Sequence, residues 1–364
     1  MRRVLGVVLL LTLASPATGQ IAGTRAAALA RDGWRNLDAG RPAEAEPLFT
    51  EAISLEPRDP SLLLGAALAA HLQGQAGRAR PLLERALELS ARYVPAAMLL
   101  GEVCYKLGDI ETAIRTYEQV LEVAPAQAVV RTKLEAWRRE AAVHSRFFQA
   151  PGAHFTILFE GPGEERLAAR ALEVLEAGYW RVGTALGVFP VEPMTVVLYT
   201  QEQFRDITRS PDWAAALYDG KIRVPMRGAI ENPAELERVL VHELTHAFVR
   251  GVAPRHVPTW LNEGIAVYFE PEGRTWAEAE AAKTKTRVTP AALAGSFEAF
   301  TGGEARVAYA QSALAVQKMM DLAGSTGVMA LVADLGQGVP LAEAFERRLL
   351  MSYADFLAEL QPEP

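Results

Sequence analysis

The stretch His242-Glu243-Leu244-Thr245-His246 decides how the C-terminal half of this chain is read. Its two histidines stand four positions apart. A helix turns about 100° per residue, so positions i and i+4 project from one face, a turn apart. Both imidazoles can then offer a nitrogen to one Zn²⁺ at about 2.0–2.1 Å. Glu243 lies between them, close enough to handle the proton of an attacking water. The flanks read as helix. Asn232-Pro233-Ala234-Glu235 offers a capping residue, a proline at the first helical position and an acid in the first turn. Leu236, Val239, Leu240, Leu244, Ala247 and Phe248 supply an apolar face, and Arg250-Gly251 closes the run.

Two imidazoles leave a tetrahedral ion wanting a third protein ligand. The candidate is Glu263, in Thr259-Trp260-Leu261-Asn262-Glu263-Gly264-Ile265-Ala266, 17 positions beyond His246. A helix, a turn and a returning helix fit that interval. Two neutral imidazoles and one carboxylate leave a zinc site at net +1, which keeps the ion a useful Lewis acid.

Working outward, residues 151–360 read as a mixed domain around this motif. Alternation over Phe155–Phe159 predicts a strand, and Met194–Tyr199 and Lys221–Met226 predict two more. A long helix is expected from about Glu164 to Leu186, a short one over Gln201–Ile207, and helices from Pro290 to Leu360 with breaks near Gly302, Gly324 and Gly336. Gln149-Ala150-Pro151-Gly152 is the expected boundary, preceded by a capping or linker helix within 126–150.

From about residue 23 to 125 the chain repeats itself three times. Gly40, Gly74 and Gly108 recur every 34 residues, as do Ala45, Ala79 and Ala113. Phe49, Leu83 and Tyr117 keep a larger apolar position at the same step. The middle unit has Ala67 where the others have Gly33 and Gly101. Small residues let paired helices approach, and the larger ones fill the gap.

The chain of 364 residues is 50% hydrophobic and 22% charged, ordinary for a globular protein of two or three domains. Its net charge of −7 and the lack of a basic patch exclude nucleic acid as a partner class. Arg2-Arg3, the apolar run Val4–Leu13 and the small residues through Gly19 have the layout of a signal peptide over residues 1–19, an uncleaved anchor being the alternative. The expected mature protein is exported, periplasmic or secreted, with no integral membrane segment. Cys104 is the single cysteine, so an intramolecular disulfide is impossible; it reads as a small buried residue of a helix pair.

Two resemblances follow. The 34-residue period of helix, glycine turn and helix resembles the tetratricopeptide repeat. His242-Glu243-x-x-His246 followed by Trp260-Leu261-Asn262-Glu263-Gly264-Ile265-Ala266 resembles the gluzincin metallopeptidases, and in particular the peptidase MA-like domain that follows tetratricopeptide repeats in exported bacterial proteins. The Trp-x-x-Glu-Gly-x-Ala element also resembles that of zinc aminopeptidases. This chain departs from those in a shorter interval to the third ligand and in lacking their Gly-Ala-Met-Glu-Asn element. The resemblance implies Zn²⁺ held by His242, His246 and Glu263, with Glu243 as catalytic base. Related enzymes use a downstream tyrosine or histidine as a second donor to the oxyanion, and Tyr309 is the choice here. It also implies that an edge strand at Lys221–Met226 pairs with extended substrate. His256, between the two ligand helices, and Asn262, beside Glu263, are further candidates for outer-shell contacts.

The expected architecture is therefore all-α tetratricopeptide-type repeats followed by an α+β, gluzincin-like metallopeptidase domain. The expected function is hydrolysis of peptide bonds with zinc, the repeats recruiting a protein or peptide. The alternative is a protein-binding repeat scaffold carrying a non-catalytic zinc-binding domain.

Overall fold

The computed structural model describes residues 25–200, 202–204, 217–218, 220–225, 232–283, 288–297 and 300–360. The signal peptide expected over residues 1–19 lies outside the described residues, as do Gln201, Ile207 and Met226. The chain forms two compact units that divide between Val143 and His144.

The first unit is all helical. It contains α1 (Arg25–Asp38), α2 (Pro42–Leu55), α3 (Pro60–Leu72), α4 (Ala76–Leu89), α5 (Val94–Lys106), α6 (Ile110–Val123) and most of α7 (Ala128–His144). Gly40, Gly74 and Gly108 each sit just after the first helix of a pair, at φ of 74°, 79° and 83°. Only glycine takes that left-handed backbone without steric cost, which is why the 34-residue period is marked by glycine. Phe49, Leu83 and Tyr117 are fully buried between the paired helices. Cys104 is fully buried too, and burial pushes its thiol up to about 11. At the end of the stack, α7 lays Trp137 against Tyr105 and Tyr117, with ring centroids 4.7 and 4.4 Å away.

The second unit is α+β. Its five strands are β1 (Phe148–Pro151), β2 (Phe155–Phe159), β3 (Met194–Tyr199), β4 (Leu217–Tyr218) and β5 (Ile222–Pro225), in the order β1-β2-β3-β5-β4. β2, β3 and β5 run parallel; β1 and β4 are antiparallel edges. In β2 the residues Phe155, Ile157 and Phe159 are buried and their neighbours are not, as the alternation requires. Two expectations change here. Gln149–Pro151, expected as a boundary, is strand β1; Pro151 is tolerated because an edge strand has one side free of ladder bonds. The segment Lys221–Met226, expected as an edge, is covered on its outer side at Ile222 and Arg223 by β4. A two-residue strand gives no periodic signal, so the sequence could not announce it.

Helix α8 (Glu165–Leu186) packs on the sheet, and α9 (Pro233–Val252) packs on α8. Asn232 caps α9 by accepting from the Glu235 backbone N–H at 3.2 Å, with Pro233 at the first position. The helix runs two residues past Arg250 and ends at Val252. After a loop come α10 (Thr259–Phe269), α11 (Gly273–Lys283), α12 (Pro290–Leu293), α13 (Gly302–Gly336), α14 (Leu341–Leu349) and α15 (Tyr353–Glu359). The glycine breaks fall as expected: α13 starts at Gly302, kinks at Gly324 (φ 64°, ψ 177°) and ends at Gly336. α11 has no counterpart in the sequence reading. One core, from Phe155 to Phe356, joins sheet and helices, and α9 and α10 lie within it.

Candidate metal centre

α9 and α10 bring three ligand atoms together. His242 Nε2 and His246 Nε2 lie 3.1 Å apart, one turn along the same helix face. Glu263 Oε2, from α10, lies 3.3 Å from each of them. Three ligands held about 2.0–2.1 Å from a common tetrahedral centre stand about 3.3–3.4 Å from one another. The triangle in this structure has nearly those edges. Glu263 Oε2 is buried and makes no hydrogen bond. A carboxylate oxygen in that state calls for a cation, so the donor set fits a zinc ion in both geometry and chemistry. Burial opposes ionisation of Glu263, but the two imidazoles outweigh it and hold its carboxyl well below the usual range.

Glu243 is 6% exposed, and its Oε2 has no hydrogen-bond partner. It belongs with His242 and His246 to a group whose ligand atoms lie within 4.8 Å of one another. Burial pushes its carboxyl up, the direction that suits a group exchanging protons near neutrality.

The family model for the Peptidase MA superfamily matches residues 176–353. Two tetratricopeptide repeat models match residues 32–94 and 70–136. This chain joins tetratricopeptide repeats to a Peptidase MA superfamily domain. Among solved structures, the first tetratricopeptide domain of Spaghetti (RPAP3), bound to an HSP90 peptide, is 24% identical. It matches over 32% of this chain and 94% of its own, with a TM-score of 0.32. The first such domain of human RPAP3 is 24% identical over 32% and 93%, with the same TM-score of 0.32. The Sgt2 domain from Aspergillus fumigatus is 24% identical over 37% and 92%, with a TM-score of 0.33. Comparison with curated proteins finds no match.

Within the Peptidase MA domain, α13 carries Tyr309 to the cluster, its ring centroid 6.3 Å from that of His242. Burial and the neighbouring carboxylates push its phenol well above the usual range, so Tyr309 stays protonated and can donate. His242, Glu243 and Tyr309 line one cleft of about 720 Å³ together with Glu270 and Trp276. His256 does not join it. That residue is exposed, in the loop between α9 and α10, at φ 69°. Asn262 is half-buried beside Glu263 and, among the described residues, makes no hydrogen bond to either imidazole; His246 Nδ1 likewise has no hydrogen-bond partner among the described residues. The edge-strand role expected of Lys221–Met226 falls away at Ile222 and Arg223, where β4 occupies the outer side.

The structure adds two residues. Glu270 Oε1 lies 2.6 Å from His242 Nδ1, and Arg238 Nη1 donates to Glu270 Oε2 at 3.1 Å. Arg238 carries a signal in the sequence, since it precedes His242 by one helical turn; Glu270, the residue that caps the end of α10, carries none. Two further histidines are engaged within the fold: His144 is hydrogen-bonded to the Tyr199 hydroxyl at 2.7 Å and His154 to Glu176 at 2.6 Å.

Proposed function

We propose that this chain is an exported zinc metallopeptidase that hydrolyses peptide bonds, with its repeats recruiting a protein or peptide. The single observation that carries the reading is the part-buried triangle of His242 Nε2, His246 Nε2 and Glu263 Oε2, with the buried carboxylate of Glu243 in the same cluster. A structural zinc site closes with four protein ligands, whereas three ligands beside an acid and an open cleft suit hydrolysis.

When bound, zinc supplies Lewis acidity to the reacting oxygen atoms. His242, His246 and Glu263 would hold it, and His242 and Glu243 line the adjoining cleft. Glu243 Oε2 takes a proton from the attacking water and passes it to the leaving amine. The Tyr309 hydroxyl donates to the carbonyl oxygen as negative charge develops there. The walls of the cleft limit bulk water at the reacting bond. Recruitment by the repeats is supported by the tetratricopeptide matches, since such stacks are protein-interaction modules. Export is proposed from the Arg2–Gly19 layout, and no described helix is long and apolar enough to cross a membrane.

The test pairs metal analysis with cleavage of a mixed peptide library. The wild-type chain is expected to carry one zinc and to cleave. Glu243→Gln is expected to keep the zinc and lose at least about 10²-fold of the rate. Full activity in Glu243→Gln removes the mechanism. Zinc without turnover by the wild type favours the non-catalytic scaffold.

A further inference from the structure

We propose that Arg306, braced against Trp276, is a specificity-determining residue that receives a carboxylate of the substrate close to the bond that is cut. The proposal rests on the reading of this cleft as a site of peptide-bond hydrolysis.

Helix α13 runs along the cleft. Gly302, Arg306 and Tyr309 stand four and three positions apart on one helical row, and all three line it. Arg306 precedes Tyr309 by about 4.5 Å along the axis, whereas an extended peptide advances about 3.3 Å per residue. With the reach of an arginine added, the guanidinium serves a substrate position about one to three residues from the carbonyl that Tyr309 serves. Trp276, from α11, lines the same cleft, and the Arg306 guanidinium carbon lies 5.8 Å from the centre of its ring. An aromatic face at that distance attracts the cation and restricts its plane.

Two arginines line the cleft, and the charge around them differs. Arg238 faces two acids. Its Nε and Nη2 donate to Glu235 at 2.8 and 2.6 Å, and its Nη1 donates to Glu270 at 3.1 Å. Around Arg306 the balance is reversed. Its Nε donates to Glu280 Oε1 at 3.2 Å and its Nη2 to Glu280 Oε2 at 2.8 Å, while Lys283 Nζ donates to that second oxygen at 3.1 Å. Two cations thus share one carboxylate, and the group is left with a positive excess. The bonds from Arg306 and Lys283 hold the Glu280 carboxyl down to about 2, so the excess persists through the neutral range. A guanidinium carries five donors in a fork that suits carboxylates, and Glu280 engages it at two nitrogens. The Arg306 side chain is 56% exposed, open to an incoming group. Glu272, at the turn before α11, also lines the cleft and opposes an anion, so the carboxylate must seat on the Arg306 side.

The experiment gives the zinc-loaded full chain a set of quenched fluorescent peptides. Glu, Gln and Lys replace one another at each of the positions flanking the cleaved bond, and every peptide is made with a free and with an amidated C-terminus. At one flanking position Glu is expected to raise kcat/KM over Gln by about 5- to 10-fold, a gain that shrinks as salt rises. A gain that follows the free terminus and is lost in Arg306→Gln also supports the proposal, and names the terminal carboxylate as the one received. Arg306→Gln is expected to bring the Glu-to-Gln ratio to about 1, Arg306→Lys to keep part of it, and Arg306→Glu to turn the preference toward Lys. Glu272→Gln is expected to widen the preference for Glu. A purely structural role lowers every rate together and leaves these ratios unmoved. Equal rates on Glu and Gln peptides at every position, with no gain from a free terminus, overturn the proposal. So does a preference that survives Arg306→Gln. Binding of the same peptides to the Glu243→Gln chain, read by fluorescence anisotropy, tests the subsite without turnover. An Arg306-dependent preference in binding with no cleavage by the wild type keeps the subsite and fails the hydrolysis reading. Cleavage without the preference fails the subsite alone.

Discussion

At the scale of single residues, the C-terminal unit separates holding from reacting. His242, His246 and Glu263 present atoms 3.1–3.3 Å apart, while Glu243 keeps a buried oxygen with no partner. Tyr309 is set apart from them by its raised phenol, which leaves it a donor throughout the neutral range. Tyr309→Phe is therefore expected to retain zinc and lower kcat by about 10²–10³-fold, with KM little changed; an unchanged kcat removes Tyr309 from the reaction. The spacing of His242, Glu243 and His246 was legible because one helical turn dictates it. Glu270 was not, since a carboxylate at a helix end has many possible partners. Its contact with His242 depends on how α9 and α10 cross.

At the scale of elements, the helices of the second unit are held by close approach and by ion pairs between them. A methyl group on Gly264 would lie 2.4 Å from the Ser312 carbonyl oxygen, so α10 and α13 meet backbone to backbone. This gives the glycine after Glu263 a packing reason. Gly264→Ala is expected to cost about 1–3 kcal/mol in a thermal or urea melt, and a neutral result shows that the helices can part without strain. Further along, Arg348 donates from Nε and Nη2 to Asp334 at 2.8 and 2.9 Å, tying α14 to α13. That bidentate bond, with Arg347 nearby, holds the Asp334 carboxyl below its ordinary value. A depressed carboxylate stabilises the fold above its unfolded pKa, and that contribution is lost as pH falls through its folded value. Asp334→Asn is expected to destabilise the chain at neutral pH and to flatten the acid limb of its stability curve. Parallel curves for the two proteins contradict the assignment. Among strands, the three central ones were legible and the two edges were not, because β1 is almost wholly exposed and shows no buried alternation and β4 has only two residues.

At the scale of the whole molecule, two compact units with separate cores lie on one chain. Among the described residues, the cluster of His242, Glu243 and His246 lies in the second. Unfolding is thus expected in more than one transition, and zinc at about 100 times its Kd is expected to stabilise only the Peptidase MA unit, by about 2.7 kcal/mol. Calorimetry with and without zinc checks this; equal shifts in every transition contradict it. By itself, the sequence determined the order of the two architectures. A period of 34 and a period of one helical turn are local properties, set by backbone geometry and readable without neighbours. It also determined the turn glycines, which the left-handed backbone demands at Gly40, Gly74 and Gly108. Only the tertiary structure decided which groups face one another. It set a carboxylate against His242 Nδ1, covered β5 with β4, and set Tyr309 over the cleft. Those pairings depend on the crossing of helices far apart in the chain, where packing, and not local preference, selects the partner.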